Sequence, residues 1–281
     1  MNKKMKKNIF FATSLLLMMQ ILTSCDPITE DGASPKVIDE SEFVGSVTPV
    51  KATDGKNSNR VICEMTSPGS AQWTDGVLTK SSNSTTMDLF ITGTQTITCT
   101  VQSQDGSTFT KTFPVTVDEK TYDVDPTYGL LCGSGSKVWT WDTSLANVWG
   151  NGGYMENAAP SWWCVPISGL DEQCTAYGCT SDGEGGQMTF TLNGLKFSKT
   201  SGQSGTFSFD MTAIVKSGWS IGKLYTKNTG VLLGVQPNNG GAVFTEYSIL
   251  SLDEHSLVLC APEPGAGDGG TAWFWMFRAV E

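Results

Sequence analysis

The sequence predicts an all-β protein. Short runs that alternate apolar and polar residues recur along the chain, and clusters of Gly, Asn, Asp and Ser separate them. No stretch keeps an apolar period of 3.6 residues for three helical turns. Charged residues make up only 16% of the chain, which is low for a helical protein and favours a secreted or surface β protein.

Residues 1–24 predict a cleaved leader that is not part of the fold. Four lysines near the start precede an apolar run from Ile9 to Leu22, which is the plan of a secretory signal peptide. Polar residues interrupt this run, so it falls short of the ~20 apolar residues of a membrane-spanning helix. The run ends in the letters LTSC, which resemble the lipobox of bacterial lipoproteins. That resemblance implies that Cys25 becomes an acylated N-terminus that anchors the protein to a membrane.

Charge and the residues after Cys25 narrow the choice of partners. Removing residues 1–24 leaves 14 basic and 28 acidic side chains, a net charge of −14. Such a surface repels nucleic acid and anionic polymers, so we expect a neutral partner and no nucleic acid. The letters DPITEDG resemble the surface-export signal of Bacteroidetes lipoproteins, which implies an outer-membrane protein that faces the cell exterior. A plain polar tether is the alternative, and residues 25–41 predict a flexible linker.

Residues 42–120 predict a small β domain. In TQTITCTV, Ile97, Cys99 and Val101 share one face of a half-buried strand, and threonines share the other. The letters QDGS then predict a hairpin turn. The stretch from Gly93 to Val117 resembles the final two strands of a PKD domain, with a looser resemblance before it. The resemblance implies an immunoglobulin-like β-sandwich, usually a spacer in surface proteins that process carbohydrate.

Two cysteines and a tryptophan give the same region a second signal. Cys63 and Cys99 flank Trp73 with a spacing compatible with an immunoglobulin-like core. The alternation of each strand points both cysteines toward one core. An extracellular compartment permits a disulfide between them, and two buried free thiols fit the pattern equally well.

Residues 121–281 predict a second β domain that is rich in aromatic residues and carries eight of the nine tryptophans. Successive short strands with tight turns are typical of an antiparallel sandwich or barrel. The stretch from Thr245 to Val280 resembles the last strands of bacterial lipocalin-like domains, and a jelly-roll sandwich would read nearly the same way. Five cysteines in this domain leave at least one free thiol, and their pairing stays open.

Catalytic and metal-binding patterns are sparse. The sole histidine, His255, is predicted to lie in a solvated turn, which disfavours both a zinc site and a Ser-His-Asp triad. The paired-glutamate strand motif of laminarinase-type glucanases does not occur. Asp182 and Glu184 are predicted to be solvated turn acids. Those two, or Glu263 with Asp268, could hold a structural calcium ion, but no EF-hand type loop supports this. We therefore expect no enzyme activity and no required cofactor.

The letters VWGNGGYMENAAPSWW, residues 148–163, place four large rings among Gly, Asn and Pro residues that break strands and helices. We expect a loop whose exposed rings stack on the apolar face of a sugar, while neighbouring amides bind hydroxyls. The predicted glycan-binding residues are Trp149, Asn151, Tyr154, Trp162 and Trp163. Core packing is the alternative for these rings, and it is favoured for the alternating tryptophans of VWTWD and WFWMF.

The whole layout resembles the surface glycan-binding lipoproteins of Bacteroidetes polysaccharide-utilisation systems. That resemblance implies capture of a neutral polysaccharide or oligosaccharide, often a β-glucan. The partners it implies are hydrolases, an outer-membrane transporter and its capping lipoprotein. Two alternatives remain: an unrecognised glycoside hydrolase or lyase, and a structural or adhesin-like surface protein whose rings are all core.

Overall fold

The computed structural model describes residues 36–281, so the leader, Cys25 and most of the predicted linker lie outside the described residues. Regular structure in the described part is mainly β-strand, and the all-β prediction is confirmed. None of the helices in this part has the length and apolar content that crossing a membrane requires.

Seven strands build a two-layer sandwich in the first part of the chain. One sheet has the order β1-β2-β5 and the other β4-β3-β6-β7, with antiparallel pairing throughout. Trp73 lies fully buried between the layers, and its Nε1 donates to Ser82 O at 2.9 Å. The strands are β1 (Gly45–Lys51), β2 (Asn57–Met65), β3 (Ser70–Thr74), β4 (Thr79–Ser81), β5 (Ser84–Asp88), β6 (Gly93–Gln102) and β7 (Thr108–Val117).

The alternation predicted for β6 is present: Ile97, Cys99 and Val101 are buried, and the threonines between them are not. The predicted hairpin to β7 is also present, closed by a bond from Ser103 N to Ser107 O at 2.9 Å. Ile38, which falls in the predicted linker, is instead buried in the sandwich core. A large aliphatic side chain beside an apolar core lowers its free energy by leaving water, so the packed chain begins before residue 42.

The cysteine pair of the sandwich is not a disulfide. Cys63 and Cys99 are both free thiols with no exposed surface, so the disulfide interpretation is wrong and the buried-thiol alternative holds. Burial raises the pKa of Cys63 to about 12 and that of Cys99 to about 11. Thiol oxidation proceeds through the thiolate, which these sites disfavour.

Eight strands of the second part close into a ring. Their order is β8-β11-β12-β13-β14-β17-β18-β19, and β19 pairs back onto β8. Each strand neighbours the next ring strand along the chain, which is the topology of an up-and-down barrel. The barrel alternative is therefore correct, and the jelly-roll sandwich is not. The strands are β8 (Ser136–Trp141), β9 (Trp149–Gly153), β10 (Trp163–Val165), β11 (Gln187–Thr191), β12 (Lys196–Lys199), β13 (Ser204–Asp210), β14 (Gly222–Lys227), β15 (Val235–Gln236), β16 (Ala242–Val243), β17 (Glu246–Leu252), β18 (Ser256–Pro262) and β19 (Thr271–Ala279).

Aromatic and aliphatic side chains fill the barrel interior. Trp275 lies opposite Leu259, and Phe277 lies opposite both Leu257 and Trp141. All five side chains are buried, which confirms the core interpretation for the VWTWD and WFWMF tryptophans. An eight-stranded barrel is just wide enough for side chains to fill. Because the interior is filled, we expect a ligand site at an end of the barrel.

Two short helices escaped the sequence prediction, because each has only seven residues and therefore fewer than three turns. They are α1 (Pro126–Cys132) and α2 (Leu170–Ala176). Asp125 caps α1 by accepting from Thr127 N at 2.9 Å, as expected for an N-cap aspartate. Trp139 Nε1 donates to Leu131 O at 2.9 Å, so α1 closes one end of the barrel. Short 3-10 turns occur at Glu40–Glu42, Ile167–Gly169, Thr180–Asp182 and Pro237–Asn239.

A run of three rings packs the sandwich against this closed end. Tyr128 of α1 contacts Phe90 of the sandwich at 4.2 Å between ring centroids, and Phe209 of β13 at 4.4 Å. A backbone bond from Gly194 N to Gly76 O at 2.9 Å accompanies the rings. The opposite end of the barrel is thereby left clear of the sandwich.

A buried ion pair fastens the chain at the other end of the barrel. Asp182 Oδ2 accepts from Lys199 Nζ at 2.7 Å and from Leu233 N at 3.0 Å, and both charged side chains are at least 95% buried. Trp141 Nε1 donates to Asp182 O at 2.9 Å. The prediction of a solvated turn acid at Asp182 is therefore wrong, because its carboxylate neutralises a lysine of β12 inside the barrel.

Replacing Asp182 with alanine should strongly destabilise the protein, because it leaves the Lys199 ammonium buried without a counter-charge. We expect the free energy of unfolding in urea to fall by about 3–5 kcal/mol. Glu184→Ala, two residues along and exposed, is the matched control and should change it by less than about 0.5 kcal/mol. Similar losses in the two variants would contradict the buried pair.

Candidate functional site

The candidate site depends on a change of partner along β19. Residues 277–279 pair with β8, whereas residues 271–275 pair with β9 on the same side of the strand. Met276 marks the change, since its carbonyl accepts from Asp142 N at 3.0 Å and its amide donates to Val148 O at 2.9 Å. Strand β10 pairs with β9 and has no second partner in the described sheet. Together β9 and β10 form a hairpin flange at the barrel mouth.

The stretch from Trp149 to Trp163 was expected to be a loop, but its two ends are strands β9 and β10. The glycines are there because the neighbouring chain comes very close. A Cβ on Gly150 would lie 2.0 Å from Trp163 O, and one on Gly152 would lie 2.6 Å from Ser161 Oγ. Glycine inside a strand often marks such a close approach of another backbone.

Trp149 is fully buried and is not an exposed platform. It lies opposite Trp275 of β19 and Val165 of β10, so it points into the barrel. Its ring stacks on Trp273 with centroids 4.7 Å apart and planes at 25°. The prediction of an exposed ring here is wrong, because β9 continues the inward face of the barrel.

Tyr154 and Asn151 also have structural roles that the sequence did not indicate. Tyr154 is buried on the outer face of the sheet, edge-on to Trp219 at 5.3 Å, and burial raises the pKa of its hydroxyl. Asn151 Oδ1 accepts from Trp163 N at 3.1 Å, and its carbonyl accepts from Trp162 N at 3.0 Å. Asn151 thus holds the backbone of β10 in place.

Trp162 and Trp163 do present large rings to solvent, with 57% and 40% of their surface exposed. Trp163 lies beside the buried stack, 5.5 Å from Trp149 and 5.7 Å from Trp273, with its plane nearly perpendicular to both. Such edge contacts between rings are favourable. Trp163 is therefore an exposed indole whose orientation is fixed by two buried indoles.

A cleft that the sequence did not reveal lies next to this cluster. Trp273 Nε1 donates to Glu263 Oε1 at 2.5 Å, and Glu263 lines a cavity of about 450 Å³ together with the side chains of Asn238, Asn239 and Thr271. We call this the mouth cleft. The sequence indicated Glu263 only as a possible calcium ligand together with Asp268. The signal that was missed is the aromatic strand that begins eight residues later.

A second cavity, of about 380 Å³, shares the turn formed by residues 263–266 with the mouth cleft. Its other walls include Tyr154, Gln236 and an ion pair between Lys223 and Glu246. The two cavities lie on either side of one turn. We call the two cavities together the groove; its second part lies against the outer face of the sheet, where Tyr154 is.

One buried donor in the cluster lacks a partner. Trp149 Nε1 is inaccessible to solvent and makes no hydrogen bond with any described residue. Buried N–H groups in native proteins are nearly always paired, and leaving one unpaired costs about 1–3 kcal/mol. The unpaired indole belongs to the same ring cluster that orients Trp163.

Outside the barrel mouth, the side chains that could support catalysis do not lie together. His255 is exposed, and Ser256 Oγ donates to Asp253 Oδ2 at 2.7 Å rather than bonding His255. A cavity of about 580 Å³ beside His255 contains no Trp, Tyr or Phe among its lining residues. Within residues 36–281, no three His, Cys, Asp or Glu side chains gather as metal ligands.

No protein-family model and no curated protein sequence matches the chain. Among solved structures it is similar to the PKD1 domain of Vibrio anguillarum Epp, with 20% identity and a TM-score of 0.23, covering 27% of this chain and 94% of that domain. The PKD1 domain of the Vibrio cholerae metalloprotease PrtV gives 22% identity and a TM-score of 0.22, covering 27% of this chain and 96% of that one.

A third similar structure is described as a carbohydrate-binding module of the β-sandwich superfamily. It has 9% identity and a TM-score of 0.23, and the similarity covers 85% of this chain and 91% of that one. The structural neighbours therefore include PKD domains and a carbohydrate-binding module.

The burial of the aromatic cluster predicts opposite effects for two tryptophans that are close in sequence. Trp149→Ala removes a ring from the packed interior and should lower the free energy of unfolding by about 3–5 kcal/mol. Trp162→Ala removes an exposed ring and should change it by less than about 0.5 kcal/mol. Denaturant titration of both variants tests this, and a stable Trp149→Ala protein would contradict the packing described.

Proposed function

We propose that this chain is a non-catalytic binding protein for a neutral polysaccharide or oligosaccharide, and that the mouth cleft is its binding site. The observation that carries the proposal is Trp163, an exposed indole held in one orientation at the open edge of a filled barrel. A ring that is already fixed loses little conformational entropy when a ligand stacks on it. Trp163 packs on Trp273, and the Trp273 indole donates to Glu263, which lines the mouth cleft together with Asn238 and Asn239.

The composition of the cleft suits a sugar. One face of a pyranose carries C–H groups that pack on an indole, and its hydroxyls require donors and acceptors around the edge. Asn238 and Asn239 offer both. Glu263 offers carboxylate oxygens and is oriented by the Trp273 indole. The volume of about 450 Å³ falls within the range of about 300–1,000 Å³ that is usual for ligand sites.

Charge favours a neutral ligand. The proposed mature chain carries a net charge of −14, and the cationic group near the groove, Lys223, is already paired with Glu246. An anionic glycan would approach a negative surface and meet Glu263 in the cleft. A neutral glycan meets no such repulsion.

The lining of the cleft supports binding without bond cleavage. Glycoside hydrolysis uses two carboxyl groups on either side of the scissile bond. Two carboxylates line the two cavities: Glu246 is held in an ion pair with Lys223, and Glu263 accepts from the Trp273 indole. The role we assign to Glu263 is to accept hydrogen bonds from hydroxyls.

The extended groove suits a chain longer than one sugar. Because the two cavities meet at one turn, successive residues of a linear glycan would occupy both sides of it. We further propose that a lipid on Cys25 holds the protein on the outer face of the outer membrane. There it would pass glycan to partner hydrolases and to a transporter with its capping lipoprotein. This part rests on the sequence resemblance and on the sandwich, which packs at the barrel end opposite the cleft.

Trp163→Ala should weaken glycan binding without unfolding the protein. Stacking on an aromatic ring contributes roughly 1–3 kcal/mol, so at ~1.4 kcal/mol per decade the dissociation constant should rise at least about tenfold. Affinity electrophoresis against a panel of soluble neutral polysaccharides, followed by calorimetry on the best ligand, measures the change. Leu145→Ala removes a partly exposed apolar side chain outside the groove and serves as the control.

The same panel separates the alternative functions. A hydrolase or lyase would release new reducing ends from a polysaccharide, and Glu263→Gln would abolish that release. A structural protein would not be retarded by any glycan. Retardation of the wild type with no release of reducing ends is the result that the proposal expects.

Replacing Cys25 with Ala should remove the protein from the membrane fraction, because a signal peptide without its acylated cysteine leaves no anchor. Cell fractionation and labelling with a fatty-acid analogue measure this. A Cys25→Ala protein that is processed normally and remains membrane-bound would show that the anchor lies elsewhere.

A further inference from the structure

Two cysteines meet at the end of α2, close to the barrel mouth. Cys179 N donates to Cys174 O at 2.8 Å, which folds the chain back after the helix. This bond brings the two cysteines close together. Cys174 is fully buried, whereas Cys179 is partly exposed. The pair therefore has one inner and one outer sulfur.

This pair differs from every other cysteine in the described chain. Cys132 and Cys260 are buried, like the two cysteines of the sandwich, and burial raises the pKa of each of these four thiols. Cys164 is exposed but makes no recorded contact with another sulfur. The Cys174–Cys179 pair combines a neighbouring thiol with access from solvent.

We propose that Cys174 and Cys179 form a redox-active dithiol, in which Cys179 reacts first with an external disulfide and Cys174 completes an internal disulfide. This inference does not rest on the proposed saccharide function. It rests on the backbone bond that brings the two cysteines together and on their unequal exposure.

The exchange proceeds in two steps. The Cys179 thiolate attacks one sulfur of the external disulfide, that S–S bond breaks, and the departing thiolate takes up the proton that Cys179 lost. Cys174 then loses its proton and attacks the Cys179 sulfur, expelling the second external thiol, which takes that proton. Two protein thiols are oxidised to one disulfide, and the external disulfide is reduced to two thiols.

The electrostatics of the pair agree with these roles. The hydrogen bond from the Cys174 thiol lowers the pKa of Cys179, and the positive charge of Lys199 acts in the same direction. The same hydrogen bond raises the pKa of Cys174, as does its burial. A thiol of lowered pKa that solvent can reach is the one that attacks first.

The disulfide would stiffen the barrel mouth. Tyr177 lies inside the small ring that the bond closes, and its Cδ1 would be 3.4 Å from a Cβ placed on Gly241. Asp182, which holds the buried ion pair, follows three residues after Cys179. Closing a ring of this size should raise the Tm by roughly 4–8 °C.

The test uses the full chain with Cys25→Ala, reduced and then exposed to oxidised glutathione. We expect the intact mass to fall by two hydrogens, and non-reducing peptide mapping to link Cys174 to Cys179. With Cys174→Ser the reaction should stop at a glutathione adduct on Cys179. Cys164→Ser is the matched control and should still form the internal disulfide.

A second measurement needs no cysteine variant at the pair. Brief alkylation of the reduced protein should modify Cys179 at least about tenfold faster than Cys174, and the Tm should rise on oxidation and return on reduction. The proposal is overturned if oxidation yields adducts on Cys164 while Cys174 and Cys179 stay reduced. Alkylation of Cys174 at the same rate as Cys179 would also overturn it.

Discussion

The barrel and its candidate site both depend on the way β19 shares one edge between two partners. Its last residues close the eight-stranded ring against β8, and its first residues carry β9. Met276 makes the exchange possible because both of its backbone groups are paired. Its carbonyl accepts from Asp142 N, just after β8, and its amide donates to Val148 O, just before β9. Without the exchange there would be no flange, and Trp163 would have no strand to hold it beside the mouth.

The buried indoles make different hydrogen bonds at the barrel mouth from those they make in the rest of the barrel. Three of them donate to backbone carbonyls of the segments that close the barrel: Trp139 to Leu131, Trp141 to Asp182 and Trp275 to Leu233. Those bonds fasten the ends of the barrel to its wall. At the mouth the pattern changes, since Trp273 donates to the Glu263 carboxylate and Trp149 has no partner among the described residues. The indole N–H of Trp273 thus orients a side chain of the mouth cleft instead of fastening a backbone segment.

Much of the fold could be predicted because its strands alternate. The inward residues of β6 were identified correctly from parity, since a strand with one face buried must alternate. Parity also grouped the inward rings of β19, although the other face of that strand is buried too. The stretch 148–163 was predicted to be a loop because glycine usually breaks strands. Gly150 instead admits the backbone of β10 at a distance that a Cβ would forbid. From the sequence alone, a glycine that breaks a strand cannot be distinguished from a glycine that lets a neighbouring backbone come close.

The site was harder to predict than the fold, because its residues come from distant parts of the chain. Trp163 was predicted to be an exposed ring, and it is one of the two predicted rings that are exposed. Its neighbours Trp273 and Glu263 lie about a hundred residues away and meet it only because β9 lies between β10 and β19. Asp182 shows the same limit, since nothing in the letters DGEGG indicates a lysine partner in a later strand. Pairings of this kind are set by the closure of the barrel, which no local pattern encodes.

The central claim is that a neutral glycan stacks on the exposed Trp163 indole and binds in the mouth cleft. The most direct measurement is a titration of the protein with a soluble neutral polysaccharide, followed by NMR of the indole N–H resonances. The account predicts that the signals of Trp163 and Trp149 shift together with saturation, while that of Trp73 in the sandwich core stays in place. Shifts confined to Trp73, or saturable binding that leaves the Trp149 and Trp163 signals unmoved, would contradict it.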